Sequence, residues 1–412
     1  MRKLISMLLI SIMCISFIGC NDTGVKEIVD ITKSKQLTKE EKIEDFEYMF
    51  KTIEEAYPFL EVNKRVNNVD WIANKEEYLE KIKNTKNDKE FIEAITQILS
   101  ELNNDHTHLI NSKELYDFFK SGYNQTGLYD FFDDEKVLSR YNSMEGNTQN
   151  TKEPMVKKDV IVRDVIDKKI GYIYLPQMYG VYGEITEKDI ESDMKIIGDY
   201  INKLEDYKAL IIDIRGNSGG DDMYWRSIVS KVASDDIESK GYLAFRSDNK
   251  IMKDYVDKRE IRVDSIDNLP KELLENAPKD IMTDFSEFME STVVIESDNK
   301  SKFKGNIYLL VDDAVYSSSE SFSIFCKDSG FATLIGEKTG GDGGGIDPIL
   351  FDLENSGLII RMASDMYLTG QGICNEEFKT KPDYEVSDVT RTKNFEDDKC
   401  IQKVLELENI KF

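Results

Sequence analysis

Histidine, the side chain that ionises near neutrality, is almost missing from this chain: two residues in 412, His106 and His108, both in one short loop. Any reaction that needs an imidazole must therefore draw it from residues 103–109 (NNDHTHL). Cysteine is also scarce, with five in all, and no CxxC spacing occurs. Cys14 and Cys20 fall in the leader described below, and Cys326, Cys374 and Cys400 cannot all pair with one another, so neither a disulfide framework nor a cysteine metal site is expected. Basic charge is under-supplied, 54 Lys+Arg against 79 Asp+Glu, and the net charge of −25 repels phosphate backbones and excludes nucleic acid as a partner. Internal repeats and low-complexity tracts are absent. After the leader, no apolar run reaches the ~18 residues that span a bilayer. The glycine run 340–345 (GGDGGG) lacks the lysine of a phosphate loop and the framing of a dinucleotide turn, so it reads as a cleft-lining loop.

What is present begins with an export signal: Met1-Arg2-Lys3, an apolar stretch from Leu4 to Gly19, then Cys20. Gly19-Cys20 resembles a bacterial lipobox and closes a lipoprotein signal over residues 1–20, which implies cleavage before Cys20, lipidation of Cys20 as the mature N-terminus, and attachment to the extracytoplasmic face of the cell membrane through lipid alone. Residues 21–37 are polar and suit a tether. Residues 38–108 read as a small helical domain, opened by the capping box Thr38-Lys-Glu-Glu41 and an apolar face of Ile43, Phe46, Met49, Phe50, Ile53 and Tyr57. Residues 109–167 weaken into a connector or flap. Residues 168–392 alternate strand and helix as an α/β core, interrupted at 235–303 by a charged insertion that reads either as a lid or as a solvated decoration. Residues 393–412 are read as a tail. With 40% hydrophobic residues the chain supplies a large core.

Three motifs in the α/β region carry chemistry. An apolar strand, NIYLLV at 306–311, runs into Val315-Tyr316-Ser317-Ser318-Ser319-Glu320 and then an apolar helix. A hydroxyl at such a junction meets the free N–H groups and positive dipole end of the helix, where developing negative charge is favoured. The alternative is a plain N-cap cluster, since serine is favoured there for reasons unconnected with catalysis. The second motif, DIRGNSGG at 213–220, ends a β-branched run in glycines that leave backbone amides uncovered. The third is LIGEKTGG at 334–341. In the histidine loop, His106 suits a general base; a shared metal site with His108 lacks a third ligand nearby, and a pair of surface or core histidines is the remaining reading.

In this order the three motifs resemble the C-terminal-processing (tail-specific) serine peptidases and the related tricorn core. The resemblance implies a crotonase/Clp-protease-like ββα core of α/β class with a small N-terminal α-helical domain. It implies Ser317 as nucleophile, three residues before Glu320, and His106 as base, matching a DGHT-like motif. Oxyanion donors would come from Ser318 and from Gly219 or Gly220, with Asp213 and Arg215 bracing the turn and Asn217 assisting. Many tail-specific relatives place a lysine base about twenty-five residues after the nucleophile; Asp342 stands there, so the Ser–Lys dyad is missing. The tricorn-like branch implies instead a glutamate late in the core, Glu376 or Glu377 ahead of Pro382-Asp383, with Asp105 as a competing partner for the imidazole. The 58 residues between 109 and 167 are too few for a PDZ domain. The implied activity is serine endopeptidase hydrolysis of peptides or proteins outside the cytoplasm, with no metal or organic cofactor. The alternative is a decayed peptidase fold kept as a binding module for peptides or small ligands.

Overall fold

A computed structural model describes residues 14–15, 36–123, 126–144, 157–181, 185–298 and 301–412. Cys20, the lipobox and most of the tether lie outside the described residues. No described helix is long and apolar enough to cross a membrane.

The centre is a six-stranded sheet whose spatial order is Tyr384–Glu385, Thr333–Gly336, Asn306–Val311, Ala209–Asp213, Ile170–Tyr174 and Ile161–Ile166. The first five run parallel; Ile161–Ile166 closes one edge antiparallel to Ile170–Tyr174. The parallel strands are apolar runs without alternation, as burial on both faces demands: Leu210, Ile211 and Ile212 point to both sides and are all fully buried. Helices Glu187–Ile201, Asp222–Val232 and Ser318–Ser329 cover one face, where Trp225 stacks on Phe322. The C-terminal helix Lys399–Leu407 covers the other with Cys400, Ile401, Val404 and Leu405. The segment read as a tail is therefore part of the core, because its apolar residues recur at helical spacing and find the uncovered sheet face.

That helix also completes a buried ion cluster. Arg215 donates through Nε and Nη2 to Asp213 (2.9 and 2.6 Å) and through Nη2 to Asp398 (2.9 Å), the N-cap of the helix. All three side chains are sealed from solvent. The glycine turn that follows Arg215 is thus anchored to the C-terminus of the chain.

The second core gathers helices Lys39–Ala56, Asp88–Ser100, Lys113–Tyr123 and Glu135–Ser143 around Phe46, Phe50, Trp71, Tyr116 and Tyr141. The capping box forms as read: Glu41 N donates to Thr38 Oγ1 and Thr38 N to Glu41 Oε2. Much of the stretch expected as a connector is helical and belongs to this core. The insertion is likewise built in. Ile237–Phe245 and Glu287–Ile295 pair antiparallel along nine residues, and Ile237–Phe245 also pairs with Met366–Thr369. A third sheet, Ile349–Asp352, Ile359–Met362 and His108–Ile110, ties the histidine loop to the α/β half through the register Arg361↔His108.

Candidate active site

In a parallel sheet the loops leaving the carboxyl ends of neighbouring strands meet at one edge, and here three of them do. After Ala209–Asp213 comes the glycine turn, after Asn306–Val311 the serine turn, and after Thr333–Gly336 the loop to Gly345. They are laced together by backbone and side chain. Gly216 N donates to Asp312 Oδ1 (3.0 Å), Ser317 N to Gly341 O (3.2 Å) and Gly340 N to Val315 O (2.7 Å). Asn217 Oδ1 accepts from Gly219 N (3.0 Å) and Ser319 Oγ (2.6 Å), which fixes the glycine turn against helix Ser318–Ser329.

Ser317 has φ +58° and ψ −123°, backbone angles that a residue with a side chain adopts only where surrounding structure enforces them. It ends the turn and precedes helix Ser318–Ser329, yet its side chain makes no capping bond to that helix. The hydroxyl instead lies 3.1 Å from His106 Nε2. The plain N-cap alternative thus fails for this residue. Ser319 reaches Asn217 instead.

His106 comes from the other half of the molecule. A tight turn, with Asn103 at φ +53° and Thr107 N donating to Asn104 O, leads into strand His108–Ile110. Thr107 Oγ1 accepts from Ala363 N (3.1 Å), and the buried Arg361 donates to the His106 carbonyl (3.4 Å). The imidazole is nearly sealed from solvent, and its Nδ1 lies 2.7 Å from Asp342 Oδ2. The same oxygen accepts from Asn104 Nδ2 (2.6 Å) and from Tyr316 Oη (2.9 Å), whose ring packs 5.0 Å from the imidazole. Burial alone would raise the Asp342 carboxyl; the positive charge that His106 carries when protonated, and the bonds from His106, Asn104 and Tyr316, outweigh it and hold the group below the usual carboxylate range. An ionised carboxylate only accepts, so Nδ1 carries the proton and Nε2 presents its lone pair to Ser317.

The carboxylate on the imidazole is therefore Asp342, and this corrects the expectation of Glu376. Glu376 stands one bond further back: its Oε1 takes a long bond from Asn104 Nδ2 (3.3 Å) and its Oε2 a bond from Lys379 Nζ (2.7 Å). Burial first, and then the charge of Asp342, raises its carboxyl to about 7. Glu377 faces Arg65, which grips it with Nε (2.8 Å) and Nη2 (2.7 Å). Asp105, in the same loop, is exposed; partial burial raises its carboxyl, and the charge of a protonated His106 opposes that rise. His108 does not join His106: its Nδ1 lies 3.3 Å from the Leu109 carbonyl, and burial lowers its pKa to about 3, so it is neutral. Asp342 was visible in the sequence as the residue standing at the spacing of the missing lysine. Its signal was a carboxylate inside the glycine run 340–345 that follows the serine turn.

At the glycine turn, Gly219 (φ +105°) leaves open the space beside Ser317; a Cβ there would lie 2.9 Å from both Ser317 Cβ and Ser318 N. Gly219 O accepts from Met178 N and Asp221 N donates to Met178 O, so the Gly220 amide between them faces the opposite edge. The described pair Cys14–Ile15 meets that turn as a short antiparallel strand.

A second buried acid lies behind the loop. Asp365 Oδ1 accepts from Ser364 Oγ (2.9 Å) and Ile346 N (3.2 Å), while Oδ2 has no hydrogen-bond partner among the described residues. Burial first, with the charges of Asp342 and Asp347, pushes its pKa to about 7 from 3.8. A raised acid holds its proton more tightly folded than unfolded, so its stabilisation is complete below pH 3.8 and is lost as pH rises through 7. Asp365→Asn is expected to flatten the decline of stability between pH 5 and 8, and to add on the order of 4 kcal/mol at pH 8. Urea unfolding at the two pH values checks this; parallel pH profiles for both proteins would contradict it.

No curated protein sequence matches the chain. Among solved structures, the chain is similar to a candidate peptidase of Parabacteroides merdae, with 18% identity, a TM-score of 0.57 and 89% of this chain and 96% of that one covered. It is also similar to mature CPAF, with 11% identity, a TM-score of 0.54 and the same two coverages. At such identities the likeness establishes the fold alone, a mixed α/β architecture shared over 89% of this chain. The model of peptidase family S41 matches residues 169–386, just over half of the chain, and those residues carry the glycine turn, the serine turn and the Asp342 loop. With its fold and its motif-bearing half both accounted for, the chain belongs to peptidase family S41.

Proposed function

We propose that this peptidase is a serine endopeptidase that works through an acyl-enzyme, with Ser317 as nucleophile, His106 as general base and Asp342 as the group that orients it. The observation that carries the reading is the unbroken path from Ser317 Oγ to His106 Nε2 (3.1 Å) and from His106 Nδ1 to Asp342 Oδ2 (2.7 Å). As Ser317 Oγ attacks the scissile carbonyl, Nε2 takes its proton, and the resulting imidazolium is stabilised by the ionised Asp342. The same Nε2–H then protonates the departing amine. Water, deprotonated by the regenerated base, releases the acyl group. Charge on the carbonyl oxygen would be met by the N–H of Ser318 at the helix start and that of Gly220; Gly219 N is already engaged by Asn217. The reaction needs no group beyond these side chains and amides.

An activated ester substrate tests this. Rapid quenching should reveal a burst of product equal to the enzyme present, with the acyl mass on the chain; turnover with no burst and no adduct would count against acyl-enzyme chemistry. A decayed binding module would give neither burst nor turnover.

We also propose that the protein acts outside the cytoplasm, anchored through Cys20. The basic, apolar and Gly19-Cys20 sequence of the leader supports this. Cells fed a labelled fatty acid should incorporate it into the wild-type chain and not into Cys20→Ala; equal labelling would refute the anchor.

A further inference from the structure

Lys379 is held in a conformation that suits glycine. It has φ +57° and ψ −179° at the end of the short helix Asn375–Phe378, a region that residues with side chains normally avoid. Its arm does not escape to solvent. It crosses Gly341, itself at φ +96°, where a Cβ would stand 2.7 Å from Lys379 Nζ. The ammonium ends 2.7 Å from Glu376 Oε2, and the pair is largely buried. Gly341 accepts the Ser317 N–H and is followed by Asp342, so this lysine lies against the backbone that presents the orienting carboxylate.

Two carboxylates meet there around one donor. Asn104 Nδ2 gives a short bond to Asp342 (2.6 Å) and a long one to Glu376 (3.3 Å). An untethered Glu376, buried beside a charged Asp342, would lower its energy by taking a proton and turning that proton or its oxygens towards Asn104 and Asp342. Either move loosens the hold on the imidazole. We propose that Lys379 is a positioning residue: its ammonium draws Glu376 back, leaving Asp342 as the carboxylate that receives the imidazole N–H. The inference rests on the Ser317–His106–Asp342 reading, and it gives a physical reason why that role falls to Asp342 here.

The strained backbone supplies a clean test, because Lys379→Gly relieves it. That variant should be folded, with an unfolding temperature equal to or above that of wild type. If the lysine served only packing, nothing else should change. The proposal predicts instead that kcat falls about tenfold with KM within about twofold, the pattern of a lost transition-state contribution. It also predicts a spectroscopic change that does not need turnover. With two histidines in the chain, the ring N–H resonances are few, and the Nδ1–H shared with Asp342 should be the one furthest downfield. It should move or broaden in Lys379→Gly, persist in Lys379→Arg, and return in Lys379→Gly/Glu376→Gln, where the competing carboxylate is gone. An unchanged resonance and kcat in Lys379→Gly would overturn the proposal. A wild-type protein that shows the resonance but hydrolyses nothing would instead sink the proposed activity, and the resonance would still decide the role of Lys379.

Discussion

Ser317→Ala is expected to lower peptide hydrolysis by roughly 10⁴- to 10⁶-fold, the range seen when a triad nucleophile is removed. The reasoning is local. The Ser317 hydroxyl makes no capping bond to the helix that follows it, and it lies in hydrogen-bond reach of a base. Deleting it removes one buried hydroxyl and leaves φ +58° as it was, so the fold should lose no more than ~1 kcal/mol. Peptide turnover and thermal unfolding, measured on the same preparation, separate the two effects. Hydrolysis at the wild-type rate would show that a different group attacks the substrate.

Asp342→Asn should be nearly as severe, on the order of 10³- to 10⁴-fold in kcat, although the side chain keeps its size. An amide offers a donor where the carboxylate accepted, so the imidazole can be held with its Nδ1 unprotonated and its proton on Nε2. In that tautomer the lone pair aimed at Ser317 is gone. In the wild-type protein three donors converge on Asp342 Oδ2, from His106, Asn104 and Tyr316, so the effect is on the chemistry of this position and not on a mobile side chain. Glu376→Gln, one bond further from the imidazole, should cost about tenfold or less. Steady-state kinetics on the pair decide between the two acids; a larger loss at Glu376 would restore it as the orienting group.

The parallel strands were legible because burial on both faces writes itself as continuous β-branched runs, and Asn306–Val311 begins and ends where NIYLLV does. The histidine loop was legible through a shortage: with two histidines to choose from, little remained to search. What resisted reading was convergence. Glu376 and Asp342 are both acids in glycine-bearing segments, and nothing local says which oxygen will meet a ring donated by a residue more than two hundred positions earlier. Lys379 gave no warning either, since its importance lies in a positive φ that sequence does not display. The C-terminal helix carried a plain signal in Cys400, Ile401, Val404 and Leu405, and became part of the core because a sheet face was otherwise bare. The insertion at 235–303 was opaque for another reason: Glu287–Ile295 alternates exposed with half-buried residues, and its neighbour Ile237–Phe245 takes its second partner, Met366–Thr369, from far downstream.

The whole account requires that one imidazole activate one hydroxyl, and a serine-directed fluorophosphonate followed by tandem mass spectrometry reads that directly. The adduct should sit on Ser317 in the wild-type protein at one per chain and should be lost in His106→Ala. Labelling of another residue, or equal labelling of Ser317 without the imidazole, would contradict it.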